Sequence, residues 1–492
     1  MRYSSWDEIE PTATPAEREL KACAEAGEPC KLGPDDKIPS QPKDWDTIDP
    51  DCYIRADVLR FLILSDTTTE KGVMLGGAYI SGTLDLMDCE IAHKIVFVGC
   101  QFQQTIDLTR ARCTSNLRIK NCALLALHAA GSSLSQQLDC GGTKFLAQEG
   151  KALNLQGAKV SGHLILRDTT VQGAVHLHSS EIGGSLDCTH ANFLFREGYA
   201  FSLQGAEIKE GFLFRSVEHG QGVMNLTNAY ANTLLDDQRS WPSNNKLILD
   251  GFTYDKIIGE TDAKSRLAWL EKGDRWNGKF FPQPYKQLAK VLHDMGHEAD
   301  ALKVRVALAR KLRAEQRRKL IDASNSDASL SPKALWKDFR PVLLYLKHTF
   351  ENFVLRYGYE RYRVIILLPL LVAFASYQAQ LSWTEGSMVP NSSVILASES
   401  WLEIAQNHPD QTVKMWMTTT TGSDWESFNA IAYGIDLVIP LIEFGQTDTW
   451  APSTNRGRSG ARFWWLRWVL AGLGFVISTF ALTALTNVFQ KE

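Results

Sequence analysis

The sequence predicts a mixed fold. A cytoplasmic, right-handed β-solenoid of 11-residue units comes first, then an α-helical hairpin, then two transmembrane helices flanking a re-entrant, pore-helix-like segment. Three observations carry this expectation. An 11-residue repeat occupies residues 80–215, two charge-free apolar runs stand near the C-terminus, and a shorter apolar run with two carboxylates lies between them.

In the repeat, Ile80 is followed by Leu84 and Leu86, Ile91 by Ile95 and Phe97, Phe102 by Ile106 and Leu108, and Cys113 by Leu117 and Ile119. After an irregular stretch the pattern resumes at Val160, Val171 and Ile182. The unit is close to I-x-G-x-L-x-L-x-x-A-x and is pentapeptide-like. Alternation in its L-x-L core means short strands with one buried face. Short strands at a fixed period, with turn glycines such as Gly82, Gly162, Gly173 and Gly184, indicate a β-solenoid. Two units per coil, roughly 22 residues, is the expected stacking. An 11-residue period also suits a right-handed coiled coil, but the β-branched content and recurrent glycines argue against helix. The expected boundaries are a cap of unclear fold over 1–75, the solenoid over 76–253, and the hairpin over 254–324.

The repeat accounts for the cysteines. Cys89, Cys100, Ala111 and Cys122 recur every 11 residues and read as small core residues. Structural zinc prefers paired C-x2-4-C elements, so no metal is expected. His163, His176 and His178 fall on solenoid positions and form no H-E-x-x-H or comparable ligand set. No P-loop, nucleotide fingerprint or nucleophile elbow is present. The expectation is a protein without cofactor that is not an enzyme. Nine cysteines in 492 residues, an odd and sparse set, suit free thiols in a reducing cytosol. A net charge of -4 names no partner. The N-terminal stretch lacks an apolar h-region, which argues against a cleaved secretory signal.

In "FPQPYKQLAKVLHDMGHEADALKVRVALARKLRAEQRRKL", Leu288, Val291 and Leu292 form one helical stripe. Gly296 breaks it, and Ala301, Val304 and Leu308 line a second helix. The unit is tetratricopeptide-like. Its second helix carries Lys303, Arg305, Arg310, Lys311, Arg313, Arg317, Arg318 and Lys319 against one acid, Glu315. Three readings stay open for this cluster: a solvated positive-inside flank, a contact for anionic lipid, or a nucleic-acid site. Arg118, Lys120 and Arg167 form a second candidate set on the solenoid. Residues 325–363 read as a linker and a juxtamembrane helix.

Val364–Leu381 and Trp468–Phe489 carry no charge over 18 and 22 residues. Each can cross a hydrocarbon core of about 30 Å. Tyr359, Tyr362, Trp464, Trp465 and Trp468 stand where interfacial aromatics do. Lys347, Arg356, Arg361 and Arg363 precede the first run, so both termini are expected in the cytoplasm of a two-pass inner-membrane protein. Arg458, Arg462 and Arg467 on the other side weaken that asymmetry.

Ala430–Ile442 has the length of a re-entrant segment. On a helix, Asn429, Asp436 and Glu443 recur every seven residues and share a face. Carboxylates at membrane depth are costly unless they face protein, water or ions. The following "EFGQTDTW", with Gln446, is tolerated there if it lines a cavity. A flat interfacial helix is the competing reading, but such helices are usually rich in Lys or Arg, and this one has neither. Thr479, Thr483, Thr486 and Gln490 lie on one side of the second span. They either line the same path or bond back to the preceding turn. Gly472 and Gly474 would permit close helix approach. Two helices cannot enclose water, so a pore requires a homo-oligomer, here expected to be a tetramer, with cations favoured by carboxylate rings.

The L-x-L solenoid, the PQPY-QLAKVL…GHEADA hairpin and the signature Tyr433, Asp436, Leu437, Pro440, Gly445, Gln446 resemble a bacterial family of two-span membrane proteins. Members often carry the label "membrane-associated oxidoreductase", which no residue here supports. The layout is also similar to the membrane-effector family of Hailong anti-phage defence. That resemblance implies an ion channel whose soluble part binds single-stranded DNA made by a partner nucleotidyltransferase. The competing function is a membrane-tethered scaffold that binds a protein partner and conducts nothing.

Overall fold

A computed structural model of the chain describes residues 3–33, 42, 45, 48–243, 245–325, 363–409 and 411–488. For 320–325, 363–366 and 480–488 only the helical backbone is described. The expected juxtamembrane helix, within 326–362, lies outside the described residues. The chain divides into two compact units, Met1–Glu315 and Gln316–Glu492.

The first unit is a β-solenoid of about nine turns through residues 53–258. One coil shows the construction. Gln101–Phe102, Ile106–Asp107, Arg112–Cys113 and Leu117–Lys120 form four short strands. The next strand, Ala123–Leu124, stacks back on Gln101 in parallel register. Glu90 pairs with Arg112, and Leu164 with Leu186, so a coil takes two 11-residue units. The coil that pairs Leu127 with Leu153 is longer because residues 146–150 loop out. Inward positions such as Leu84, Ile106, Leu117, Leu164 and Leu186 are buried in a continuous core. Each such side chain contributes about 1.5–3 kcal/mol by leaving water.

The corners differ from the expectation. Of the four glycines read as turn residues, only Gly82 has a positive φ, +81°. A Cβ at Gly162 would stand 2.9 Å from Gln137 N, and at Gly173 2.6 Å from Ala147 O. These glycines permit close stacking of neighbouring coils. The left-handed corners fall instead at Asp88, Arg110, Asn121, Asp168, Ser179, His190, Ser216 and Asn228, and at glycines such as Gly99 and Gly131. Cys100, Ala111 and Cys122 are buried as expected, and Cys100 N–H lies 3.4 Å from Cys122 Sγ. Cys89 is only partly buried.

Parallel pairing begins ahead of residue 76. Cys30–Lys31 pairs with Val73–Gly76, and Tyr53–Arg55 with Tyr79–Ser81. Helices α1 (Pro15–Ala26) and α2 (Ala56–Leu64) join the core at that end. Thr14 and Glu17 form a capping box on α1, and the buried Glu17 carboxylate meets Arg55 at 2.7 Å.

The ladders run on to Thr253–Ile258. Helix α3 (Ala263–Gly273) follows and is pinned by Arg266, whose two guanidinium nitrogens each lie 2.7 Å from Asp236. Helices α4 (Gln283–Asp294) and α5 (Glu298–Asn325) fall where the two helices of the hairpin are expected. Gly296 sits between them at φ +83°. Leu288, Val291, Leu292, Ala301 and Val304 are buried in the solenoid's core.

In the second unit, α6 (Arg363–Thr384) and the C-terminal helix (Arg458–Val488) pack with a short helix, α7 (Ala430–Val438). Met388–Pro390 pairs antiparallel with Trp450–Pro452, and Trp401, Trp416 and Trp450 are buried. The expected spans fall on α6 and the Arg458–Val488 helix. Among the described residues, no helix is long and apolar enough to cross a membrane.

Candidate functional site

Glycines set the geometry of the second unit. A Cβ at Gly434 on α7 would stand 2.2 Å from Ser376 Oγ and 3.0 Å from Val372 O, so α7 touches α6 closely there. A Cβ at Gly474 would stand 2.1 Å from Val438 O, which brings the C-terminal helix against the end of α7. Gly472, the other glycine singled out from sequence, faces open space.

The loop after α7 is braced from several sides. Asn429 caps the helix, its Oδ1 accepting from Ile431 N and Ala432 N at 3.0 and 3.1 Å. The Asp436 carboxylate accepts from Phe444 N at 2.5 Å, Gln446 N at 2.7 Å and Thr447 N at 3.4 Å. Gln446 is 3% exposed. Its amide donates to Glu426 Oε1 and Ser427 O, and its Oε1 accepts from Asn429 N. Gly445, at φ +79°, turns the chain into a single helical turn, α8 (Gln446–Thr449).

This arrangement corrects the expected common face of Asn429, Asp436 and Glu443. The helix stops at Val438, and Ile439 is extended. Pro440 disfavours helical backbone at the residue before it, and the Asp436 carboxylate supplies acceptors for the amides beyond. Asn429 is therefore a cap, Asp436 and Gln446 are internal braces, and Glu443 sits exposed in the loop. Of the expected polar stripe on the second span, Thr479 donates to Phe475 O at 2.8 Å, the back-bonding alternative. The Thr483 and Thr486 side chains and Gln490 lie outside the described residues.

Large apolar side chains face outward around this site. Leu441 is 74% exposed and Trp465 71%, and Leu370, Phe374, Ile431, Trp468 and Phe475 are also exposed. A groove of about 720 Å³ between α6 and α7 is lined by Leu368, Val372, Tyr377, Ile431, Ile435 and Ile439.

The basic residues are less available than their number suggests. Lys311 lies 2.8 Å from Asp274 and 3.1 Å from Glu271, over the Tyr285 ring, and so fastens α5 to its neighbours. Lys303 meets Asp300 at 3.0 Å. Arg310, Arg317, Arg318 and Lys319 are exposed along α5, while Arg305 and Arg313 are partly buried. On the solenoid, Arg118 and Lys120 lie on the strand Leu117–Lys120, and Lys120 Cε and the Arg167 carbonyl would each stand 3.7 Å from a Cβ at Gly141. Arg118 lies 3.3 Å from Asp139 and Arg167 2.6 Å from Asp187, so much of that patch's charge is neutralised.

Two features escaped sequence reasoning. Glu426 joins the loop brace. Glu385 accepts from Arg458 N and Ser459 N, the first turn of the C-terminal helix, and from Ser387 Oγ. The Ser387 hydroxyl first, then the Ser459 amide and hydroxyl and the Gly460 amide, hold the Glu385 carboxyl below its ordinary range. No local sequence signal exposes a partner so distant along the chain. Among the described residues, no group of three or more His, Cys, Asp or Glu could hold a metal.

No protein-family model matches the chain, and no curated protein or solved structure is significantly similar to it.

Proposed function

We propose that the protein is an oligomeric, ligand-gated ion channel of the bacterial inner membrane that acts as an anti-phage effector. A nucleic-acid signal, single-stranded DNA in the first instance, would bind through the exposed cations of α5. The observation that carries the channel reading is the braced loop. A short helix packed against two longer ones ends in a turn whose backbone amides converge on one carboxylate, leaving Glu443 exposed among outward apolar side chains.

The division of labour between the two acids follows. Asp436 shapes the loop, and Glu443 is the carboxylate available to ions. Several copies around an axis would present several Glu443 side chains to water, which favours cations. Such a protein dissipates gradients and needs no catalytic group. Outward Leu, Phe and Trp around α6 and the Arg458–Val488 helix suit a surface that lipid or further copies cover. The defence role and the DNA ligand rest on the family resemblance and on the exposed cations of α5.

The test is conductance of purified protein in planar bilayers, with Glu443→Gln as the probe. Cation preference should fall in that variant. A protein that conducts nothing, and is a monomer in detergent, would favour the tethered scaffold instead. Oligonucleotide that co-purifies and is released by high salt supports the ligand, because phosphate contacts release counterions.

A further inference from the structure

The groove between α6 and α7 has a length and a polarity that ion conduction does not call for. Its walls carry no charge: α6 lends Leu368, Val372 and Tyr377, and α7 lends Ile431, Ile435 and Ile439, spaced by four along one face. From Leu368 to Gln380 it follows α6 for about 18 Å at a helical rise of about 1.5 Å per residue. That is close to the depth of one leaflet, half of a hydrocarbon core of about 30 Å.

The groove is polar at one end only. Trp383 stacks on Phe428, and a Cβ at Gly434 would meet Ser376 Oγ and Val372 O, so α7 runs antiparallel to α6. Ile431 therefore stands toward Gln380, and Ile439 toward Leu368. The Ser376 hydroxyl is shielded from solvent and turned in toward Gly434. Tyr377 and Gln380, the other polar side chains of the lining, are exposed and lie toward the C-terminal end of α6.

We propose that this groove binds the acyl chains of one membrane phospholipid. Its ester and phosphate oxygens would accept from the Tyr377 hydroxyl and the Gln380 amide, and its chains would run past Val372 and Ile435 toward Leu368. Lipid tails are as apolar as leucine, so the site selects by packing and by these two polar contacts rather than by the hydrophobic effect. A second copy's helix, about 10–12 Å across, needs roughly 1,400 Å³ or more over that length, against about 720 Å³ here. Extended chains are slender enough to lie within it. The inference rests on the membrane part of the proposed function and does not require conduction.

The test titrates full-length protein in detergent with mixed micelles of a phosphatidylglycerol that carries a diazirine on one acyl chain, and maps the photolabel by peptide mass spectrometry. Label should saturate at one lipid per chain, fall within residues 368–380 and 430–439, and be displaced by unlabelled phosphatidylglycerol. Ala373 is exposed and lines the groove, so Ala373→Trp should fill it and lose most of the label. Val469→Trp, at an exposed position outside the lining, should lose none. Gln380→Ala, at the exposed mouth, should weaken labelling without changing thermal unfolding, which also checks that the tryptophan variants are folded. Label that never saturates and spreads over Trp468 and Phe475 would overturn the site. So would displacement by palmitate but not by phospholipid, or benzoylphenylalanine in place of Ile431 coupling to a second chain rather than to lipid. Resistance to alkaline extraction from membranes is scored separately. An integral protein without saturable label refutes the groove site alone, and an extractable protein refutes the membrane reading beneath it.

Discussion

Gly472 and Gly474 stand two residues apart on one helix, and alanine at the two positions should act with opposite sign. A methyl at Gly472 meets no atom within 4 Å. Alanine there gains helix propensity, about 0.5–1 kcal/mol of stability. A methyl at Gly474 would stand 2.1 Å from Val438 O and 2.8 Å from Val438 C. Those are backbone atoms at the end of α7, so no rotamer change relieves the clash, and the helices must part. Overpacking of this kind costs about 1–3 kcal/mol. The propensity gain is common to both variants, so the clash alone sets the difference between them. A gap of about 1–3 kcal/mol is roughly a 5- to 150-fold difference in the unfolding equilibrium. Denaturant unfolding of the full chain in detergent reads it through tryptophan emission, since Trp383 and Trp450 lie beside α7 at the Phe428–Tyr433 cluster. If Gly474→Ala were as stable as Gly472→Ala, the close contact between α7 and the C-terminal helix would be refuted.

Asp436→Asn should destabilise the loop by about 1.5–3 kcal/mol, because three amides lose a charged acceptor. Glu443→Gln should leave the same unfolding curve unchanged, and equal losses would contradict the separate roles. Arg266→Met should cost about 3–5 kcal/mol, since it strands Asp236 in a pair whose side chains are 4% and 2% exposed. Asp236→Leu/Arg266→Met should lose less than the single change, and a strictly additive loss in thermal unfolding would count against the buried pair. Burial pushes His219 and His178 below the ordinary imidazole value and His176 down to about 4. The unfolded chain titrates near 6.5 and so binds these protons first. Their contribution is complete above about pH 6.5 and is lost as pH falls through their lowered values. Urea unfolding should give lower stability at pH 5 than at pH 7.5, and the reverse order would contradict the burial of these rings.

The solenoid was legible because its physics is periodic. Alternation of Leu and Ile around outward polar residues describes one coil, and stacking repeats it. The corners were less legible. Left-handed backbone at Asp88, Asn121 and Asn228 reflects the tolerance of Asp and Asn for that region, while Gly162 and Gly173 answer to neighbouring coils that the repeat does not mark.

At the candidate site, the short apolar helix before Pro440 could be read from the sequence. The fate of its acids could not. A seven-residue spacing places Asn429, Asp436 and Glu443 on one face only if the helix continues, and it ends at Val438. Composition and periodicity alone determined that residues 80–215 form stacked short strands and that apolar character gathers at the C-terminus. Which carboxylate braces the loop, and which stays open to solvent, was decided by folding back. Asp436 found amides eight to eleven residues onward, and Glu443 did not enter that network. Local pattern governs which face of an element avoids water, whereas the pairing of a single charge depends on which distant backbone the fold brings within 3 Å of it.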